Sequence, residues 1–311
     1  MKIFTIILII ISAVVVIGYI AFKDSPEELI AYQTYASELH SFENNNGTMK
    51  YFDKGEGQAI LLLHGTPTNS WMYRKVAEEL VNNGYRVIAP DLMGFGASDQ
   101  LENLDDYDFD KQAEYLIDLM DTLGIESWEQ ATHDMGGLVS WHMVNQVPEK
   151  ITHMYVLNTI LYTETFAPPI NFNENSSFQK SILGLHENKY IGKFIVNMMM
   201  MSGTKDYDFT NSIRAGYWLP LRDGAGGIVH FFTHTKEVGE EIDTYRSWLI
   251  NSEIPVSIIW GEKDSFLDVD SVGLLQTEMN IPDDRIKILI DKKHLIAEEA
   301  SDEVAEFIIN N

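Results

Sequence analysis

The stretch THDMGG at residues 132–137 places Asp134 directly between a candidate strand and a candidate helix. Apolar patterns predict the strand over Trp128–His133 and the helix over Leu138–Val147. A sharp turn from strand to helix crowds the backbone, and the two glycines after Met135 are small enough to fit there. Two places before the aspartate stands threonine, where such turns more commonly have glycine. Aspartate before glycines also occurs in ordinary turns and helix caps. The stretch therefore has to be interpreted together with its surroundings.

Strands and helices alternate on both sides of this turn. The other predicted strands are Ala59–Leu63, Arg86–Pro90, Ile151–Leu157, Pro255–Trp260 and Arg285–Ile290, and the other predicted helices are 68–83, 107–123, 269–279 and 297–309. A short hairpin is expected around Met49–Asp53 and the turn Gly55–Gly57. Because buried strands joined by helices form crossover units, this order predicts an α/β fold with a mostly parallel central sheet flanked by helices.

The alternation breaks between residues 160 and 239. This segment is rich in asparagine, methionine and aromatic residues, including the run Met198–Met201. Its lack of alternation favours a helical insertion. We expect a helical cap over residues 160–239, inserted into a core formed by residues 47–159 and 240–311. The methionines indicate an apolar, adaptable pocket.

An uncharged, apolar segment occupies Ile3–Phe22. About 20 apolar residues cross a bilayer as a helix, so residues 1–23 are predicted to form a single transmembrane anchor. A cleaved signal peptide is the alternative, but its apolar stretch is usually only about 7–15 residues long. Lys2 before the segment and the acidic residues after Lys23 favour a cytoplasmic amino end and an extracytoplasmic domain. The polar, acidic residues 24–46 are expected to be a spacer.

The chain has 311 residues, a formal net charge of −25 and no cysteine. A strongly acidic surface argues against nucleic acid as a partner, because phosphate binding needs lysine and arginine. The lack of cysteine excludes disulfide bonds and thiolate metal sites. The hydrophobic content of 45% is enough to build a sizeable core.

Three further polar features follow predicted strands. The loop HGTP at residues 64–67 comes after the first buried strand, Asp264 after the strand at Pro255–Trp260, and His294 after the last strand. The carboxyl ends of parallel strands meet at one edge of a sheet, so Asp134, Asp264 and His294 are expected to lie close together. A candidate nucleophile, an acid and a histidine, in this chain order, form the set needed for nucleophilic catalysis.

These segments resemble two enzyme families. The matching stretches are HGTPT at 64–68, RVIAPDLMGFGASD at 86–99, HDMGG at 133–137 and GEKD at 261–264, together with His294. They look like those of haloalkane dehalogenases and epoxide hydrolases, the aspartate-nucleophile branch of the α/β-hydrolase fold superfamily. The resemblance covers about residues 47–311, with the cap poorly matched. It implies a hydrolase with an α/β-hydrolase fold and a helical cap.

An aspartate at this turn changes the expected reaction. A carboxylate is already ionised near neutral pH and displaces a leaving group from a saturated carbon without a base. Asp134 is therefore predicted to form an alkyl ester with a small apolar substrate. His294, oriented by Asp264, is predicted to activate the water that hydrolyses this ester. The backbone N–H groups of Thr66 and Met135 are the expected oxyanion hole, and no metal or organic cofactor is required.

The leaving group decides between the two resembled families. Dehalogenases commonly hold the halide with a tryptophan directly after the nucleophile, often aided by a cap tryptophan or an asparagine in the HGxP loop. Here Met135 and Thr66 stand at the first and last of these positions, so the usual halide donors are missing, which argues against a dehalogenase. Trp218 in the cap is a candidate donor to a halide. Epoxide hydrolases use cap tyrosines instead, and Tyr217 is the first candidate; the others are Tyr162, Tyr190 and Tyr207. We expect a haloalkane dehalogenase-like enzyme first and an epoxide hydrolase second.

A non-catalytic binding protein with the same fold is the third interpretation. Glu129–Thr132 is unusually polar for a central strand, so the turn at Asp134 could have lost its geometry. The presence of Asp264 and His294 argues against this. A serine esterase is disfavoured, because the sequence contains no Gly-x-Ser-x-Gly.

Overall fold

The alternating apolar segments form one eight-stranded sheet in the computed structural model, which describes residues 26–167, 189–205, 210–222 and 224–311. The strands are β1 His40–Asn44, β2 Gly47–Lys54, β3 Gln58–Leu63, β4 Tyr85–Pro90, β5 Trp128–Asp134, β6 Ile151–Thr159, β7 Val256–Gly261 and β8 Ile286–Leu289. Their order across the sheet is β1-β2-β4-β3-β5-β6-β7-β8. β2 pairs antiparallel with β1 and β4, and the other neighbours are parallel, as the crossover pattern predicts.

β3 and β5 lie side by side at the centre of the sheet. Their register pairs Leu63 with Thr132, so the loop after β3 begins beside the turn that ends β5. The polar sequence of β5 is compatible with this position because its buried amide is satisfied. Gln130 accepts a hydrogen bond from Trp128 Nε1 (2.9 Å) and donates one to Ser140 Oγ (2.8 Å).

Helices flank the sheet, which confirms the predicted α/β architecture. In chain order they are α1 Pro26–Ser37, α2 Arg74–Asn82, α3 Phe109–Thr122, α4 Gly136–Gln146, α5 Lys189–Ser202, α6 Asn211–Trp218, α7 Gly226–Thr233, α8 Thr235–Asn251, α9 Asp270–Met279, α10 Ile296–Glu299 and α11 Ser301–Asn310. α3 packs against α4, and α2 packs against α11. α2, α3 and α11 each bury an apolar stripe and leave charged residues exposed.

The described part of residues 160–239 is mainly helical and faces the carboxyl edge of the sheet, where α5 and α7 contribute residues opposite Asp134. The expected boundary at residue 239 falls inside a helix, because α8 continues to Asn251 and packs against α4. Its buried residues recur at helical spacing and form one continuous stripe: Val238, Ile242, Tyr245 and Leu249.

Residues 24–46, expected to be a spacer, contribute α1 and β1 to the folded domain. Tyr32 is buried, with its ring centre 5.9 Å from that of Trp71. The Tyr35 hydroxyl donates a hydrogen bond to Ser70 Oγ (2.9 Å). Because α1 also packs against α6, the described part of this segment, residues 26–46, belongs to the domain and is not a spacer.

The membrane anchor expected over residues 1–23 lies outside the described residues. Within the described ranges, no helix combines the length and the apolar character needed to span a bilayer.

The hairpin expected around Gly55 and Gly57 does not form. β2 and β3 are consecutive in the chain, but β4 lies between them and pairs with both. The two glycines have φ angles of +89° and +114°. A Cβ at Gly55 would also lie 2.1 Å from the carbonyl oxygen of Tyr85. The glycine pattern thus predicts the turn correctly, but not the strand with which β2 pairs.

Candidate active site

Asp134 ends β5 with a left-handed backbone (φ +50°), and α4 begins two residues later. Its carbonyl oxygen accepts a hydrogen bond from Thr159 Oγ1 (2.7 Å) at the end of β6. A Cβ at Gly136 would lie 2.6 Å from the carbonyl oxygen of His64, and one at Gly137 would lie 2.0 Å from Thr159 Oγ1. The tight turn therefore requires both glycines, and it presents the aspartate side chain at the edge of the sheet.

Two backbone N–H groups hold the Asp134 carboxylate. The N–H of Thr66 donates to Oδ2 over 2.8 Å, and the N–H of Met135 also hydrogen-bonds this carboxylate. Gly65 permits the approach, because a Cβ there would lie 2.3 Å from Asp134 Cβ. The structure thus brings together the two N–H groups that the sequence singles out as an oxyanion hole.

His294 and Asp264 lie beside this carboxylate. His294 Nδ1 donates a hydrogen bond to Asp264 Oδ2 over 2.8 Å. His294 Nε2 is 3.7 Å from Asp134 Oδ1, which is too long for a hydrogen bond. Asp264 Oδ1 accepts the N–H groups of Phe266 and Leu267 at 2.8 and 3.1 Å. The three side chains predicted from the strand ends therefore lie together, and all three are buried.

The charges of these three groups are coupled. Burial opposes a charge on His294, but the attraction of Asp264, its hydrogen bond and the charge of Asp134 outweigh burial and raise the pKa above 6.5. Burial raises the pKa of Asp134, and His294 and the backbone N–H groups counter this in part. Burial also acts upward on Asp264, but His294 and several hydrogen bonds hold its pKa below the ordinary range. Asp264 is therefore a carboxylate that stabilises the charged form of His294.

A narrow cavity opens in front of Asp134 and His294. Its volume is about 30 Å³. Most other lining residues are apolar: Pro67, Phe166, Met199, Met200, Phe231, Phe232, Phe266 and Leu295. Thr66 also lines it, and its Oγ1 is buried with no hydrogen-bond partner among the described residues. A buried hydroxyl without a partner is costly, so this atom is available to a bound ligand.

Tyr217 and Trp218, the predicted leaving-group donors, are not among the described residues that line this cavity. The Tyr217 hydroxyl donates to Glu298, whose carboxylate also binds Arg74 (Nη2 to Oε2, 2.9 Å). Trp218 is buried, with the ammonium nitrogen of Lys193 4.3 Å from its ring centre. Both side chains thus pack within the cap and against the core, and neither reaches Asp134 through the cavity.

The other cap tyrosines give no donor among the described side chains. The Tyr162 hydroxyl donates to Glu278 over 2.9 Å. The side chain of Tyr190 and the whole of Tyr207 lie outside the described residues.

Two further residues support the site, although the sequence patterns assign neither of them a role. Asn158 donates from Nδ2 to Asp264 Oδ2 (2.7 Å), and its Oδ1 accepts the N–H of Gly261 (2.9 Å). His133 Nε2 donates to the carbonyl oxygen of His294 over 2.9 Å. Burial, followed by repulsion from His294, lowers the pKa of His133 to about 3, so its ring is neutral. The feature of the sequence that could have indicated both residues is a polar side chain near the carboxyl end of a buried parallel strand.

The sheet order, the turn at Asp134 and the three buried side chains define an α/β-hydrolase-fold enzyme. The profile of the alpha/beta hydrolase fold family matches residues 58–301, and the chain belongs to this family. It is a hydrolase, as the motifs predict.

Its relatives include both of the resembled enzyme groups. Haloalkane dehalogenase of Mycolicibacterium paratuberculosis is 27% identical over 274 residues, which cover 84% of this chain and 86% of the relative. Epoxide hydrolase 3 of Xenopus tropicalis is 25% identical over 258 residues, which cover 80% and 70%. The crystal structure of a haloalkane dehalogenase from Bradyrhizobium elkani superposes with a TM-score of 0.69 at 18% identity, covering 88% of this chain and 96% of that chain. The resemblance to this branch of the superfamily is confirmed.

Proposed function

We propose that this hydrolase acts at a saturated carbon of a small apolar substrate, with Asp134 as the nucleophile. One observation carries the proposal. A buried carboxylate at the turn that ends β5 faces an apolar cavity, with the Thr66 N–H at Oδ2, the Met135 N–H also bound to the carboxylate, and His294 near Oδ1. A serine hydrolase would need a hydroxyl at this turn.

In the first step, Asp134 Oδ1 attacks the substrate carbon while Oδ2 stays with the N–H groups of Thr66 and Met135. The new bond is an ester between the carboxyl group and the alkyl group, and the leaving group departs with the electron pair of its bond. No proton passes to His294 in this step. The separation of 3.7 Å between His294 Nε2 and Asp134 Oδ1 is consistent with a base that acts on water and not on the nucleophile.

In the second step, His294 Nε2 takes a proton from a water that attacks the ester carbonyl carbon. The negative charge on Asp134 Oδ2 is stabilised by the same N–H groups, and the imidazolium is stabilised by Asp264. Collapse expels the alcohol, which takes the proton from His294, and the regenerated carboxylic acid ionises. Substrate and water thus give an alcohol, the leaving-group anion and a proton.

A halide is the leaving group that fits this cavity best. Among the described residues, the lining offers one neutral hydroxyl, Thr66 Oγ1, and no tyrosine. A departing halide needs only a hydrogen-bond donor, whereas an epoxide oxygen must also gain a proton. We therefore assign Thr66 Oγ1 as the halide donor. Epoxide hydrolysis is the second candidate, favoured by the Xenopus relative, and its proton donor would be Tyr190 or Tyr207.

A substrate panel tests the reaction class. The purified full-length chain is offered haloalkanes, epoxides and activated esters. Halide release with acidification supports the first candidate, and diol formation supports the second. Absence of turnover across the whole panel would favour the non-catalytic binding protein.

Two variants test the assignment of the nucleophile. Asp134→Ala should abolish turnover, while the control Asp302→Ala, an exposed aspartate in α11, should retain it. In His294→Gln the alkyl-enzyme should accumulate and appear in mass spectrometry as an added alkyl group on Asp134. Product formed by Asp134→Ala at the parental rate would exclude this residue as the nucleophile.

A further inference from the structure

A second cavity lies between the core and the cap, away from Asp134. Its volume of about 250 Å³ is larger than that of the cavity at the candidate active site. Acidic and histidine side chains dominate the part of its lining that is described: Asp108, Asp110, His142, His230, His234, Glu237 and Glu241. The proposed hydrolysis uses none of them.

Asp108, His230 and His234 are the most closely grouped of these side chains. One ligand atom of each lies within 4.8 Å of the ligand atoms of the other two. His230 Nε2 is 2.7 Å from Asp108 Oδ1, and the two histidine rings stack with their centres 4.1 Å apart. The stacking follows from their spacing of four residues, which places both on one side of a helical turn.

The hydrogen bonds of His234 leave one ring nitrogen for a ligand. Nδ1 is 2.8 Å from the carbonyl oxygen of His230, so Nδ1 carries the proton and donates it. Nε2 then holds the lone pair, and it lies 3.8 Å from Glu237 Oε2. Metal-binding histidines usually donate their other N–H to a carbonyl or carboxylate in this way.

The stacking of the two rings also suits a metal site. Only a neutral imidazole has a lone pair to coordinate a metal. Two stacked imidazole rings cannot both be positively charged at low cost. One divalent cation, in contrast, binds the lone pairs of both neutral rings and attracts the carboxylates around them.

We propose that Asp108, His230 and His234 bind a divalent transition-metal ion, and that Zn²⁺ is the best match. Two imidazoles and a carboxylate suit Zn²⁺, whereas Mg²⁺ and Ca²⁺ prefer oxygen ligands alone. Glu237, 3.8 Å from His234 Nε2, offers a further carboxylate. Asp108 precedes α3 in the core, while both histidines belong to the cap. The ion therefore joins the cap to the core and stabilises their contact.

The test uses the full-length chain after treatment with EDTA and removal of the chelator. Zn²⁺ is titrated by calorimetry, and thermal unfolding is followed with and without Zn²⁺. We expect one Zn²⁺ per chain, with a Kd of about 1 µM or below, and a higher Tm in its presence. Mg²⁺ at the same concentration should change neither measurement.

Matched variants separate this site from incidental binding. His234→Gln removes one ligand but keeps the hydrogen bond of His230 to Asp108, so it should fold and bind Zn²⁺ about 100-fold more weakly or worse. His40→Gln removes an exposed histidine in β1 and should bind as the parent does. The proposal is overturned by absence of stoichiometric binding, by unchanged affinity in His234→Gln, or by equal binding of Mg²⁺.

Discussion

Thr66 offers two different groups to the candidate site, and substitution separates them. Its N–H holds Asp134 Oδ2, while its Oγ1 lines the cavity without a partner among the described residues. Thr66→Val keeps the N–H and the shape but removes the hydroxyl. We expect halide release in a single turnover to slow by about 10-fold, roughly the effect of one hydrogen bond to a developing charge. Thr66→Ser is the control and should stay near the parental rate, and a valine variant as fast as the parent would exclude Oγ1 as the donor.

The pH dependence of ester hydrolysis follows from the charge on His294. The residue acts as a base only when neutral, and its pKa in the free enzyme is raised above 6.5, so hydrolysis should be slow at acidic pH and rise as His294 deprotonates. Esterification removes the negative charge of Asp134, one of the influences that raise this pKa. The pKa that governs hydrolysis should therefore lie below that of His294 in the free enzyme.

Two measurements check this difference. Decay of the alkyl-enzyme across pH gives the pKa for hydrolysis, and an NMR titration of His294 gives the value for the free enzyme. A decay rate that does not vary from about pH 5 to 9 would show that His294 is not the base.

The sequence alone predicts the positions of side chains that lie at the ends of strands, because the backbone of the sheet holds them in place. Asp134 ends β5, while Asp264 and His294 follow β7 and β8, and the parallel sheet brings such positions to one edge. The orientation of a cap side chain depends instead on distant partners. Tyr217 bonds to Glu298, 81 residues further along the chain, and no local pattern predicts that contact.

At the scale of elements, Asn158 joins the ends of β6 and β7 next to Asp264, the partner of His294. It donates to Asp264 and accepts the N–H of Gly261. Asn158→Ala removes a hydrogen bond to the carboxylate that orients the histidine. We expect kcat to fall by about 10-fold or more while kcat/KM changes little, because hydrolysis of the ester slows but its formation does not.

The comparison for this variant is Asn83→Ala, which alters an exposed asparagine just after α2 and should leave kcat unchanged. The pH profile distinguishes positioning from a purely structural loss. If Asn158 positions Asp264, the profile for ester hydrolysis shifts, and an unshifted profile with uniformly lower activity would contradict that role.

Helices and strands are predictable from the sequence where burial gives their apolar residues a regular pattern. β3 is apolar because it is buried on both faces, and α3 shows its apolar stripe clearly. α1 lacks such a stripe: Ile30 is 58% exposed while the neighbouring Tyr32 is buried. Polar and apolar residues therefore mix around this helix, and its packing against α6 depends on the cap, which the local sequence of α1 does not reveal.

At the scale of the whole molecule, the core, the segment after His294 and the cap meet at one buried ion pair. Arg74 at the start of α2 binds Glu298 of α10, and Tyr217 of α6 donates to the same carboxylate. The Glu298 side chain is fully buried, and that of Arg74 is 14% exposed. Because α10 begins two residues after His294, this contact also fixes the chain that carries the candidate base.

Breaking this pair should destabilise the whole domain. Glu298→Gln keeps the shape but leaves a nearly buried guanidinium opposite a neutral amide, and we expect the free energy of unfolding to fall by about 3 kcal/mol. The matched control is Glu38→Gln, which breaks an ion pair with Lys54 whose side chains are 53% and 51% exposed. Its cost should stay within about 1 kcal/mol, since solvent screens exposed pairs. Urea unfolding of both variants, with m-values compared to the parent, gives the two numbers. Equal losses would mean that burial adds nothing to the Arg74–Glu298 pair and that other contacts hold the cap to the core.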